Sequence, residues 1–176
     1  EARSAVVTVV RPVVLTGYNI FNFDIRFMSC RAQLLRCERY LYFGRVAARK
    51  ARVQEKKLES AAMKQNFMCY WMVPGRVCVD PFLIIKRTKS LSSYSLNEVS
   101  RVFLNEKKVD LDIATLFKYV NVATRTPETR REVALYCIQD GNLPLRLMDK
   151  LLILVDLVEE AKCTFTQIHD LVTRGQ

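Results

Sequence analysis

Thr16-Gly17-Tyr18-Asn19-Ile20-Phe21-Asn22-Phe23-Asp24 is the stretch on which the reading of this chain turns. The residues just before it, Val13-Val14-Leu15, form a short, mostly β-branched run that ends at Thr16-Gly17, the pattern of a buried strand reaching a turn. Downstream, residues 23–39 carry apolar side chains at Phe27, Met28, Leu34 and Leu35 with Arg and Glu between them, which suits an amphipathic helix. Asn19 and Asp24 therefore sit where a strand hands over to a helix. Taken alone, an Asp at a helix start is ordinarily only an N-cap. The information lies in the whole string around it.

The rest of the chain sets the frame. At 176 residues it is long enough to bury a core, and it fits one domain better than two. A 50% hydrophobic and 26% charged composition excludes a fibrous or low-hydrophobicity chain. The net charge of +10 is uneven: residues 1–90 hold 17 Lys/Arg against 6 Asp/Glu, and residues 91–176 hold 11 against 12. A basic first half attracts polyanions in a salt-dependent way, although a solvated basic face explains the charge equally well. The six cysteines include no Cys-x-x-Cys pair and His169 is the single histidine, so zinc-site spacings are absent and free thiols in a reducing, intracellular setting are expected. The Ala-Val-Val-Thr-Val-Val run between Arg3 and Arg11 is too short for a secretory signal. The strongest apolar run, residues 151–158, is interrupted by Asp156 and reads as a buried helix rather than a membrane span.

Local signals order the remainder. Residues 47–64 are rich in Ala, Lys, Arg, Glu and Gln and have no Gly or Pro, so their propensity is helical. Pro74-Gly75 between β-prone runs at 67–73 and 76–79 predicts a hairpin ending at Asp80. Ser95-Leu96-Asn97-Glu98 fits a capping box, Asp110 can cap a helix through Tyr119, and Thr126-Pro127-Glu128 opens another helix. Pro144 is expected to restart the chain for a last helix toward Ala161. Tyr136 and Asp140, four apart in a helical segment, share one helical face, where a phenol and a carboxylate can reach the same water or ion.

The string 16–24 resembles the second exonuclease motif of family-B DNA polymerases, Tyr-Asn followed after a short gap by Phe-Asp. Ala134-Leu135-Tyr136-Cys137-Ile138-Gln139-Asp140, followed by Leu143-Pro144-Leu145-Arg146-Leu147, is similar to the third exonuclease motif of the delta and herpesvirus-type members. Gly75-Arg76-Val77-Cys78-Val79-Asp80 and Leu91-Ser92-Ser93-Tyr94-Ser95-Leu96-Asn97 are similar to segments those polymerases carry between the two motifs, in the same order. Only residues of about 47–65 lack a convincing match, and they are expected to be a basic, protruding insertion in a partial exonuclease domain spanning 1–176.

The resemblance implies an α/β, ribonuclease-H-like 3′-to-5′ exonuclease fold with a helix-rich C-terminal half. It implies a proofreading segment of a DNA-directed DNA polymerase that hydrolyses 3′-terminal nucleotides with two Mg²⁺ or Mn²⁺ ions. Hard cations of this kind require oxygen ligands. On that analogy Asp24 and Asp140 are metal ligands, Tyr136 orients the attacking water, and Asn19 and Phe23 contact the 3′-terminal nucleotides of single-stranded DNA. Asp80 is either a supporting residue or a capping or charge-paired Asp at a strand end. The implied partners are DNA and the polymerase domain of the same parent protein, with no membrane, in the nucleus or another intracellular site of replication. One departure is large. The family's first motif is an Asp-x-Glu on a strand, and no Asp-x-Glu occurs in this chain. The fold is therefore expected to be N-terminally incomplete and the isolated chain inactive, with a non-catalytic DNA-binding or scaffold remnant as the alternative.

Overall fold

The computed structural model describes residues 10–46, 48–60, 64–106, 112–121 and 126–174. They fall into two compact units, one of residues 1–90 with 153–176 and one of residues 91–152.

The first unit is mixed α/β. Its strands are β1 (Val14–Thr16), β2 (Arg52–Ser60), β3 (Lys64–Met72) and β4 (Val77–Val79), and its helices are α1 (Asp24–Leu34) and α2 (Pro81–Thr88). β1 and β4 pair in parallel, Val14 opposite Val77 and Thr16 opposite Val79, while β2 and β3 form an antiparallel ribbon with Val53 opposite Trp71. The strand expected at 13–15 is thus present, displaced by one residue. The turn at Pro74-Gly75 is also present: Gly75 has φ 76° and the Arg76 N–H bonds the Val73 carbonyl at 3.1 Å. The hairpin expected around it is not. The strands on either side of the turn pair with other partners, β3 with β2 and β4 with β1.

Residues 52–60 are strand, not helix, against their local propensity. The reason lies in β3, whose aromatic and sulfur-bearing face needs a ladder partner and supplies cross-strand contacts. The Tyr70 hydroxyl donates to Gln54 Oε1 at 2.9 Å, and Lys57 Nζ lies 5.9 Å from the centre of the Phe67 ring. Helix α1 also departs from the expected pattern. It buries Ile25 and Ser29, whereas Phe27 and Leu34 stand exposed at 57% and 83%. The Ser29 hydroxyl is accommodated by the Ile25 carbonyl at 2.6 Å and by the Tyr40 hydroxyl at 3.1 Å.

The second unit is helical, with α3 (Leu96–Leu104), α4 (Ile113–Val120) and α5 (Pro127–Lys150), the first two packing against the third. Ser95 caps α3, its hydroxyl accepting from the Glu98 N–H at 3.3 Å, but Glu98 turns to Arg101 instead of closing a capping box. Thr126 and Thr129 exchange bonds at the start of α5, with Pro127 in the first turn as expected. Asp110 lies outside the described residues, and Asp112 occupies the N-cap position of α4. An Arg146–Glu106 fork, at 2.5 and 2.6 Å, ties α5 to the loop after α3.

Pro144 does not restart the chain. It sits inside the 24-residue α5, where a proline removes one helical hydrogen bond, here the one to the Asp140 carbonyl, at a cost of roughly 3 kcal/mol. Burial of Leu143, Leu147 and Met148 in the same turns offsets that cost. The break falls instead at Leu152, with φ 52°.

Back in the first unit, the chain continues as α6 (Ile153–Thr164) and α7 (Ile168–Arg174). Helix α6 buries Ile153 and Leu157 but leaves Val155 54% exposed, so the apolar run there is half-buried rather than enclosed. Among the described residues no helix is long and apolar enough to cross a membrane. All six cysteines are free, and burial pushes the Cys78 thiol up to about 12.

Candidate functional site

The parallel pairing of β1 with β4 sets up the loop at 16–24. Because Thr16 lies opposite Val79, the residues that follow each strand, Gly17 and Asp80, emerge side by side at the C-terminal end of the pair. A Cβ on Gly17 would meet Ile20 Cγ2 at 2.6 Å, so a larger residue there would force the Ile20 side chain to move. Asn19 takes φ 61°, a left-handed conformation that Asn tolerates better than most residues. The Asn19 N–H then donates to Asp80 Oδ1 at 2.8 Å, and the Phe21 N–H donates to Asp80 Oδ2 at 3.1 Å. Asp80 is fully buried and also caps α2 by accepting the Phe82 N–H at 3.1 Å. Its two oxygens therefore hold three backbone donors from two segments.

A second fastening comes from β3, where the Cys69 N–H bonds the Phe21 carbonyl at 2.8 Å. The Phe21 ring is fully buried near Tyr70, and the Tyr18 ring stands edge-on to Phe82 at 5.6 Å. Beyond this anchor the Ile25 N–H bonds the Ile20 carbonyl at 3.1 Å and α1 begins at Asp24. Phe23, not Asp24, occupies the N-cap position. Asp24 lies half-buried in the first helical turn, where the unpaired N–H groups favour a carboxylate. Phe23 is 67% exposed and stacked parallel on Phe27, ring centres 6.2 Å apart. Asn19 Oδ1 accepts from Asn22 Nδ2 at 2.6 Å. The first unit thus brings Asn19, Phe23 and Asp24 onto one loop and places Asp80 beneath it.

Electrostatically, burial pushes the Asp80 carboxyl up to about 6 against the pull of its three N–H donors, and the Asp24 charge adds to the rise. Burial and the Asp80 charge also raise the Tyr18 phenol above its ordinary value. Asp24 and Asp80 therefore sense each other within the unit.

In the second unit Tyr136 and Asp140 lie one turn apart on α5, both half-buried. Gly141 follows in mid-helix with open space around any added Cβ. Gly141→Ala is therefore expected to stabilise the chain by roughly 0.5–1 kcal/mol, since glycine is a poor helix former. A urea midpoint that moves down would contradict this.

Among the described residues, neither unit gathers three or more His, Cys, Asp or Glu side chains that could hold a metal ion. The oxygen donors suit a hard divalent cation in kind, but Asp24 stands in one unit and Asp140 in the other, and Asp80 is committed to backbone donors. The described residues of either unit do not by themselves make a two-metal site. Asp80 is also the residue whose part was least legible in the sequence. Asp-Pro after an apolar run signals a helix cap, and that half is found, but its grip on 16–24 depends on strand order.

A parallel strand pair whose C-terminal edge presents a carboxylate-bearing, aromatic-tipped loop, followed in the chain by a helical unit, defines a mixed α/β architecture with that loop at a strand-to-helix junction. The chain belongs to the DNA polymerase family B exonuclease domain family, which it matches over residues 3–99. It is 38% identical over 98% of its length to a DNA polymerase delta catalytic subunit of Drosophila melanogaster. It is 37% identical over its whole length to that of Plasmodium falciparum, and 37% identical over 97% to that of Candida albicans. The chain spans 16% of the length of each of these relatives.

Proposed function

We propose that this chain is the part of a polymerase proofreading domain that receives the 3′ end of single-stranded DNA, within a ribonuclease-H-like fold covering 1–176. The observation that carries the reading is the fastening of 16–24 by Asp80, which leaves Phe23 and Asp24 at the rim of a rigid junction. Exposed aromatic rings of this kind stack on unpaired bases. In this reading Phe23 and Asn19 hold the terminal nucleotides, and Tyr136 positions the water that attacks the last phosphodiester. Asp24 and Asp140 contribute two of the carboxylates for two divalent ions, which supply charge neutralisation and an activated water when bound. The basic segment at about 47–65 is assigned as an insertion that follows the strand's phosphates. The parent activity is DNA synthesis with 3′-to-5′ proofreading in the nucleus or at another intracellular site of replication.

Hydrolysis by these residues needs further carboxylates, so the isolated chain is expected to bind a 5′-labelled oligonucleotide without shortening it in Mg²⁺ or Mn²⁺. Shortening that Asp140→Ala abolishes would instead show a complete site, and failure to bind single-stranded DNA at low salt would sink the reading. The lack of a three-carboxylate group within either unit, among the described residues, favours one rival, a non-catalytic DNA-binding remnant. Fusing an Asp-x-Glu strand upstream separates the two: nuclease activity sensitive to Asp24→Ala supports the catalytic reading, and its absence with intact binding supports the remnant.

A further inference from the structure

Apart from the 16–24 loop, the first unit contains a cavity of about 260 Å³ whose lining includes Arg11, Tyr42, Arg45, Arg49 and Arg76. Arg11, Arg45 and Arg49 are exposed at this cavity and Arg76 is buried, and like charges gathered around one cavity repel. Among the described residues, Arg11, Arg45 and Arg49 have no ion pair to a carboxylate. Arg76 is held rigidly at the base, 8% exposed, with Nε donating to the Phe43 carbonyl at 2.7 Å and Nη1 donating to the Pro12 carbonyl. Burial, then the charges of Arg45 and Arg11, lower its pKa, so those cations are close enough to be felt.

The backbone around the cavity is equally constrained. The Arg45 N–H bonds the Pro74 carbonyl at 2.9 Å, a Cβ on Gly44 would stand 3.0 Å from the same oxygen, and Arg11 takes φ 51°. Arg11, Arg45 and Arg49 are solvated, and the buried, carbonyl-bound Arg76 beside them is what distinguishes the site from an ordinary basic face. Together the four line an open concavity with room for a phosphate group and its ester oxygens.

We propose that this cavity is an oxyanion site for phosphate, with Arg76 as its fixed floor and Arg11, Arg45 and Arg49 closing on the ligand. Planar guanidinium forks match phosphate oxygens bidentately. The phosphate can belong to a nucleic-acid strand, a source that rests on the function proposed above, or to a free phosphate or pyrophosphate, which does not.

The test uses the whole chain, an Arg11→Gln/Arg49→Gln variant, and an Arg130→Gln/Arg131→Gln variant that loses the same charge in the other unit. Arg76 is left intact because it supports backbone carbonyls. In the first arm, millimolar pyrophosphate should raise the melting temperature above that in chloride of equal ionic strength for wild type and the control, and not for the pocket variant. In the second arm, binding of an oligo-dT strand is followed against salt. The pocket variant's log–log slope should be shallower than the control's by roughly 0.7 for each backbone phosphate it no longer neutralises. Loss in the first arm alone assigns a free anion, and loss in the second alone assigns the strand. Pocket and control variants that behave alike in both arms overturn the proposal. A wild type that responds to pyrophosphate but binds no DNA removes the function proposed above and leaves the oxyanion site standing.

Discussion

Asp80→Ala is expected to destabilise the chain by roughly 3–5 kcal/mol near pH 5, because three buried backbone donors lose their acceptor at once and each unsatisfied group costs about 1–3 kcal/mol. Single-stranded DNA affinity should fall with it, since Asn19 and Phe23 would no longer be held. The pH dependence has a definite sign. Asp80 titrates near 6 in the fold against the usual 3.8. Between those values the folded state binds more protons than the unfolded state, so stability falls as pH rises from about 4 through 6, then levels. The Asp80 contribution to that fall is about 3 kcal/mol, at 1.36 kcal/mol per unit, and the cost of Asp80→Ala shrinks accordingly toward pH 7. Asp80→Asn keeps the acceptor that serves Asn19 and Phe82 and carries no charge, so it should abolish this slope. His169, whose pKa burial lowers, acts in the opposite sense, with stability lost as pH falls through its unfolded value. The measurement is therefore the difference between wild type and Asp80→Asn in urea midpoints from pH 4 to 7, in which His169 cancels. A flat difference would show that Asp80 does not titrate in this window.

How far the sequence reaches depends on whether an element is decided by its own residues. The junction at 16–24 was legible because strand, turn, glycine and helix start all lie in one string. The caps of α3 and α5 were legible for the same reason. The family was legible because its motifs recur in order. What failed was decided from a distance. β2 is a strand because β3 lies beside it, although Lys, Glu and Gln favour helix. Pro144 stays inside α5 because buried leucines flank it, and α1 turns Ile25 inward while Phe27 stays out. The double role of Asp80 requires knowing that β4 pairs with β1, which no local pattern contains.

Phe21 and Phe23, two positions apart on the same loop, should respond to truncation in opposite ways, and the contrast separates the loop's structure from its use. Phe21 is fully buried against Tyr70, with its N–H bound to Asp80 and its carbonyl to Cys69. Phe21→Ala should cost about 3–5 kcal/mol, a fall in melting temperature on the order of 10 °C for a chain of this size. Phe23 is 67% exposed and touches Phe27 rather than the core, so Phe23→Ala should move the melting temperature by no more than about 1–2 °C. If Phe23 stacks on a terminal base, the same truncation removes about 1–3 kcal/mol of binding, roughly a five- to hundredfold loss of oligonucleotide affinity. Equal affinities for wild type and Phe23→Ala would mean that the ring serves only to cover Phe27 and the helix start. Loss of affinity in Phe21→Ala carries no such information, because an unfastened loop displaces Phe23 as well. A melting curve and a titration on each variant therefore place the recognition on Phe23 itself or on the scaffold beneath it.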